Sequence, residues 1–147
     1  MAAAIAVALV VLVVAGCGGG GNDSSTPLTK SQYLKQGNQV CKKGLEEKDQ
    51  AVKAGLEEIP RDQFPKLSQQ NLKKLGEAAL PALQEAVTEL AELPPPAGGK
   101  AEVEKFVGQL EAAAKKTEAN PALLAQGDPF REGGNAAKVY GLEDCSF

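Results

Sequence analysis

The spacing of the apolar residues is the feature that most constrains the fold. From Thr29 onward these residues recur every three or four positions, which places them on one face of a helix. No segment alternates as a half-buried strand would. The first helix is predicted between an N-cap at Thr29 and a stop at Pro60. Its buried stripe comprises Tyr33, Gly37, Val40, Cys41, Gly44, Leu45, Ala51, Val52, Leu56 and Ile59.

Two further long helices are predicted. The second extends from about Pro65 to Leu93, with a kink expected at Pro81 because proline lacks the amide donor of the helical ladder. Its core candidates are Leu67, Leu72, Leu75, Ala79, Leu83, Val87, Leu90 and Leu93. The proline-rich corner 93–99 ends it, and a third helix covers about 100–119.

A short fourth helix is predicted over residues 129–140. Asp128 is its expected N-cap, Pro129 its first residue, and Gly141 takes the position after the last turn, where a positive φ is favoured. Because short corners favour antiparallel neighbours, residues 29–147 are predicted to form an all-α domain, a small four-helix up-down bundle.

The first sixteen residues are predicted to be a signal peptide. The stretch from Ala2 to Gly16 contains no polar side chain and has the length of a secretory h-region. A buried core helix is the alternative, but the stretch has no polar face. No Lys or Arg precedes Lys30, so the usual positive n-region is missing and the true start could lie upstream of Met1.

The sequence Val14-Ala15-Gly16-Cys17 resembles the lipobox of bacterial lipoproteins. The resemblance implies cleavage between Gly16 and Cys17 and a lipid on the Cys17 thiol; a plain secretory signal cleaved elsewhere is the alternative. Residues 17–28 then form a Gly/Ser-rich tether that spans on the order of 20 Å. The expected location is the extracytoplasmic face of the cell membrane, held by the lipid anchor.

A second resemblance involves residues at both ends of the helical domain. Tyr33, Asn38 and Cys41, the Leu93-Pro94-Pro95-Pro96 corner, and Tyr140-Gly141-Leu142 before Cys145 resemble small exported lipoproteins of high-GC Gram-positive bacteria. The resemblance implies a disulfide between Cys41 and Cys145 and supplies no active-site residues. The cysteine count agrees, because a lipidated Cys17 leaves one pair. The alternative is two buried free thiols.

The chain contains few residues or motifs suited to catalysis. It contains no His and no Trp, and no catalytic or nucleotide-binding motif, so no catalytic residue, metal or cofactor is predicted and the chain is not expected to be an enzyme. The pairs Glu46-Glu47 and Glu57-Glu58 are interpreted as solvated helix surface, since helix neighbours point about 100° apart. A net charge of -3 gives no reason to expect nucleic acid or anionic lipid as a partner.

Two classes of function are left. The first is a membrane-tethered interaction or ligand-binding module, whose partner is an envelope protein or a small ligand. The second is an envelope enzyme that uses surface carboxylates, and no motif in the sequence supports it. Carboxylates converging in a concave apolar pocket would favour the second class.

Overall fold

A computed structural model describes residues 26–147 as an all-α domain. The helices are α1 (Lys30–Glu57), α2 (Gln69–Glu92), α3 (Lys100–Ala119), α4 (Leu123–Gln126) and α5 (Arg131–Tyr140), with a 3-10 helix at Arg61–Lys66 between α1 and α2. The described residues contain no strand, so the predicted fold class is confirmed. The predicted signal peptide, Gly16, Cys17 and most of the tether lie outside the described residues.

Side-chain caps determine where α1 and α2 begin. The Thr29 hydroxyl accepts from the Gln32 N–H at 3.2 Å, and the Gln32 side chain accepts from the Thr29 N–H at 2.9 Å, a capping box that confirms the predicted start. The second helix was predicted from Pro65 but begins at Gln69. The Ser68 hydroxyl accepts from the Asn71 N–H at 3.2 Å and caps α2 there, while Pro65 belongs to the 3-10 helix.

The last helix begins two residues later than predicted and ends where it was predicted to end. The Asp128 carboxylate accepts from the Phe130 N–H at 3.0 Å, which holds a turn, and α5 begins only at Arg131. Gly141 has φ 119°, and the N–H groups of Gly141 and Leu142 donate to the carbonyls of Lys138 and Ala137. These two bonds form a Schellman motif, which fixes the direction in which the chain leaves α5.

The three long helices run up, down and up, and α5 runs down beside α3. Antiparallel packing of α1 on α2 brings Gly37 against Leu90 near one end and Gly55 against Leu75 near the other. We call the end with Pro27, Leu28 and the 93–99 corner the basal end, and the end with the 3-10 helix and α4 the distal end. The core includes Tyr33, Cys41, Leu83, Val87, Leu90, Val103, Phe106, Leu110, Phe130, Ala137, Leu142 and Cys145.

The C-terminal segment 141–147 closes the bundle between α5 and α1. Leu142 is fully buried against Gly37, where a Cβ would lie 2.7 Å from Leu142 Cδ2. The Asp144 N–H donates to Asn38 Oδ1 at 3.0 Å. Cys145 and Cys41 lie at disulfide-bonding distance, with Cα atoms 4.9 Å apart. The fourth side of the bundle is therefore partly an irregular segment with turns, held against α1. Within residues 26–147, this core draws on the three long helices, α5 and the C-terminal segment.

Close approach of α1 to α2 depends on Gly44. A Cβ built on Gly44 would lie 2.5 Å from the Ala86 Cβ, an atom fixed to the backbone of α2. The two helix backbones therefore approach each other more closely than two side chains would permit. Gly108, in the exposed part of α3, has no neighbouring atom within 4 Å of a Cβ position and serves as a matched control.

We expect Gly44→Ala to lower the free energy of unfolding by about 1–3 kcal/mol, because the added methyl forces α1 and α2 apart. Gly108→Ala should raise the same free energy by about 0.5–1 kcal/mol, since it only relieves the entropic penalty of glycine in a helix. Urea unfolding of residues 26–147 measures both. A neutral or stabilising Gly44→Ala would show that the helices do not approach this closely.

Candidate functional site

The structure brings together two of the predicted site residues. Cys41 and Cys145 are both fully buried within the core, and this position gives them a structural role. Gly16 and Cys17, the predicted cleavage and lipidation residues, lie outside the described residues, and their assignment stays a prediction.

The carboxylates of residues 26–147 form no metal-binding cluster. Within residues 26–147 no group of three or more His, Cys, Asp or Glu side chains is placed to hold a metal ion. The tightest charged cluster is on the surface, where Lys43 Nζ lies 2.9 Å from Glu85 Oε1 and 2.8 Å from Glu89 Oε1. Hydrogen bonds to the two carboxylates raise the pKa of Lys43, and the hydrogen bond from Lys43 lowers the pKa of Glu85. An exposed cluster of this kind adds little stability.

We consider two hollows of residues 26–147 as candidate sites, and the first is at the basal end. This basal groove has a volume of about 890 Å³ and opens between the start of α1, the 93–99 corner and the end of α5. Its apolar lining includes Pro27, Leu28, Pro96, Ala97, Ala136 and Val139. Charged and polar side chains at its border are Lys30, Glu102, Lys105 and Asn135.

Tyr140 forms part of the wall of the basal groove. Lys30 Nζ lies 4.7 Å from the centroid of its ring, within range of a cation–π interaction. The Tyr33 ring packs edge-on against the Tyr140 ring, with centroids 6.1 Å apart. Both hydroxyls are buried and find no hydrogen-bond partner within residues 26–147. Burial raises the pKa of both hydroxyls. The neighbouring Tyr140 raises the pKa of Tyr33 further, and the charge of Glu102 raises the pKa of Tyr140. The phenols are therefore neutral at physiological pH.

The second hollow, which we call the distal pocket, has a volume of about 380 Å³. It opens in the distal half of the bundle between α1, α2, the 124–130 segment and the C-terminus. Its apolar walls are Val52, Leu72, Leu75, Ala79, Leu83, Leu124, Phe130 and Phe147. The Phe147 ring packs edge-on against Phe130 with centroids 6.0 Å apart, so the last residue of the chain is part of the wall.

The polar groups of the distal pocket already have partners. Lys48 Nζ lies 3.3 Å from Asp49 Oδ1, and the Asp128 carboxylate accepts from the Phe130 N–H. The buried side-chain atoms without partners in the described segment belong to Tyr33, Tyr140 and Gln109, and none of these lines the distal pocket. The pocket therefore offers an apolar interior with charges near its opening.

The sequence indicated some wall residues of the distal pocket but not the pocket itself. Leu72, Leu75 and Leu83 belong to the predicted core face of the second helix. Nothing in the sequence indicated that Phe147 lines a pocket, because its position depends on the path of the chain after Gly141.

No helix within residues 26–147 is long and apolar enough to cross a membrane. Neither a family model, nor a curated protein, nor a solved structure matches the chain.

Proposed function

We propose that the protein is a lipid-anchored module at the extracytoplasmic face of the cell membrane, which binds a small single-chain amphiphile in the distal pocket. The observation that carries the ligand-binding part is the distal pocket itself, an apolar recess whose polar border groups are already satisfied. The proposal for the anchor is based on Val14-Ala15-Gly16-Cys17.

The lining of the distal pocket favours an alkyl chain over a polar ligand. Small-molecule pockets commonly have volumes of roughly 300–1,000 Å³ and mostly apolar walls, and this pocket meets both conditions. A polar group placed among Leu72, Leu75 and Leu83 would lose its hydration without gaining a partner. An alkyl chain has no such penalty, and its polar head would remain at the opening, near Lys48 and Asp49.

The position of the pocket suits a tethered protein. The chain enters the bundle at the basal end, and Lys48 follows Lys30 by 18 residues of α1. At the helical rise per residue, the pocket lies roughly 27 Å along the bundle from the end where the tether is attached. A ligand there would be accessible from the aqueous side of a membrane-anchored domain.

For the anchor, we expect Cys17→Ala to release the protein from the membrane fraction or to leave it unprocessed. The thiol is the acceptor of the lipid, and stable anchoring requires more than one acyl chain. Fractionation, fatty-acid labelling and intact mass measure this outcome. A substituted protein that stays in the membrane with unchanged labelling would contradict the lipobox assignment.

For the ligand, we expect residues 26–147 to bind one 11-(dansylamino)undecanoic acid per chain, with saturable, blue-shifted emission. Leu72→Gln should weaken this binding about tenfold or more, because it places an unpaired amide in the apolar wall. Equilibrium fluorescence titration measures both affinities.

The matched control for the ligand experiment is Leu93→Gln. Leu93 is also a half-buried leucine of the α2 region, but it lies at the basal end and outside the distal pocket. This variant should bind the probe as the unsubstituted domain does. Absence of saturable binding, or equal losses in the two variants, would contradict the assignment of the pocket.

A further inference from the structure

The basal end carries the most exposed large apolar side chain of the described residues. Val139 is 90% exposed, against 45% for Phe64, the other exposed large apolar residue. Val139 is not isolated, because it shares the lining of the basal groove with Leu28 and Ala136. The exposed apolar surface is therefore continuous, and continuous exposed apolar surface marks sites of interaction.

Two cations border this apolar surface. Lys30 and Lys105 are exposed, and neither forms an ion pair with any carboxylate of residues 26–147. By contrast, the nearby Lys100 and Lys138 are paired with Glu104 and Glu143, at 3.6 and 3.8 Å. The groove itself is lined by two ammonium groups and one carboxylate, that of Glu102. An apolar patch bordered by unpaired lysines is complementary to the phosphates and acyl chains of a lipid surface.

The length of the tether limits where this surface can be. Nine residues, 18–26, separate Cys17 from Pro27, which already lines the basal groove. Even fully extended, the chain from Cys17 to Pro27 spans no more than about 35 Å. A lipid on Cys17 would therefore confine the basal end to the neighbourhood of the bilayer and give it a high effective concentration there.

We propose that the basal end docks on the phospholipid bilayer that carries the anchor, with Val139 entering the interfacial region and Lys30 and Lys105 facing lipid phosphates. This inference rests on the lipid anchor of the proposed function and adds an orientation to it. The bundle would stand with its distal pocket directed away from the membrane.

The absence of tryptophan from the chain gives a clean test. Val139→Trp places a single reporter at the basal end, and Phe64→Trp places a matched one in the 3-10 helix at the distal end. Both positions are exposed, so both variants should fold. Each full-length lipidated protein is reconstituted into vesicles of phosphatidylcholine and phosphatidylglycerol, with or without bromine atoms near the head-group end of the acyl chains.

We expect brominated vesicles to quench at least half of the tryptophan emission of Val139→Trp and to leave the tryptophan emission of Phe64→Trp unchanged. Equal emission of Val139→Trp in the two kinds of vesicle would overturn it. A blue shift that depends on protein concentration but not on bromine would also overturn it and would indicate a second copy of the chain on this surface. If Val139→Trp alters the circular dichroism, Asn135→Trp, an exposed residue of the same groove, replaces it.

Intact mass separates failure of the docking from failure of the anchor. A lipidated protein whose Val139→Trp reporter is not quenched contradicts only the docking. A protein without acyl mass contradicts the anchor on which the docking rests.

Discussion

The architecture depends on the return of the chain across α1 after the last helix. Gly141 turns the backbone through its positive φ, Leu142 packs against Gly37, and Cys145 reaches Cys41. Without this return, α5 would be held mainly by α3, and its two adjacent glycines, Gly133 and Gly134, would lower its helical stability by roughly 1 kcal/mol each. In the folded chain these glycines instead permit close packing, since a Cβ on Gly133 would lie 2.8 Å from Leu110 and one on Gly134 2.8 Å from the Cys145 carbonyl oxygen.

The same segment connects the two hollows. Tyr140, the residue just before it, forms a wall of the basal groove, and Phe147 at its end forms a wall of the distal pocket. Six residues, 141–146, thus lie between the wall of the basal groove and the wall of the distal pocket. Because Cys145 lies among these six residues, its position beside Cys41 connects both walls to α1. The amphiphile site and the docking surface are separate proposals, but they share this structural support.

The sequence predicted the structural features that local patterns determine. It did not predict the features that depend on contacts between distant segments. The helical period, the Thr29 cap and the Gly141 turn are local, and the structure agrees with them. The start of α2 was misplaced, because the capping strength of Ser68 prevailed over the helical spacing from Pro65. Neither hollow was predictable, since each is lined by residues that are far apart in the sequence. The net charge of -3 likewise did not indicate that Lys30 and Lys105 border the basal groove with no carboxylate partner within residues 26–147.

The most direct test of the role of the C-terminal segment is hydrogen exchange of residues 26–147 before and after reduction. The link between Cys41 and Cys145 closes a loop with a sequence separation of 104, for which chain entropy alone suggests about 4–5 kcal/mol of stabilisation. Reduction should therefore speed exchange first in residues 130–147, while α1 and α2 stay protected. Two free thiols in the unreduced domain, or exchange that accelerates uniformly along the chain, would contradict this account.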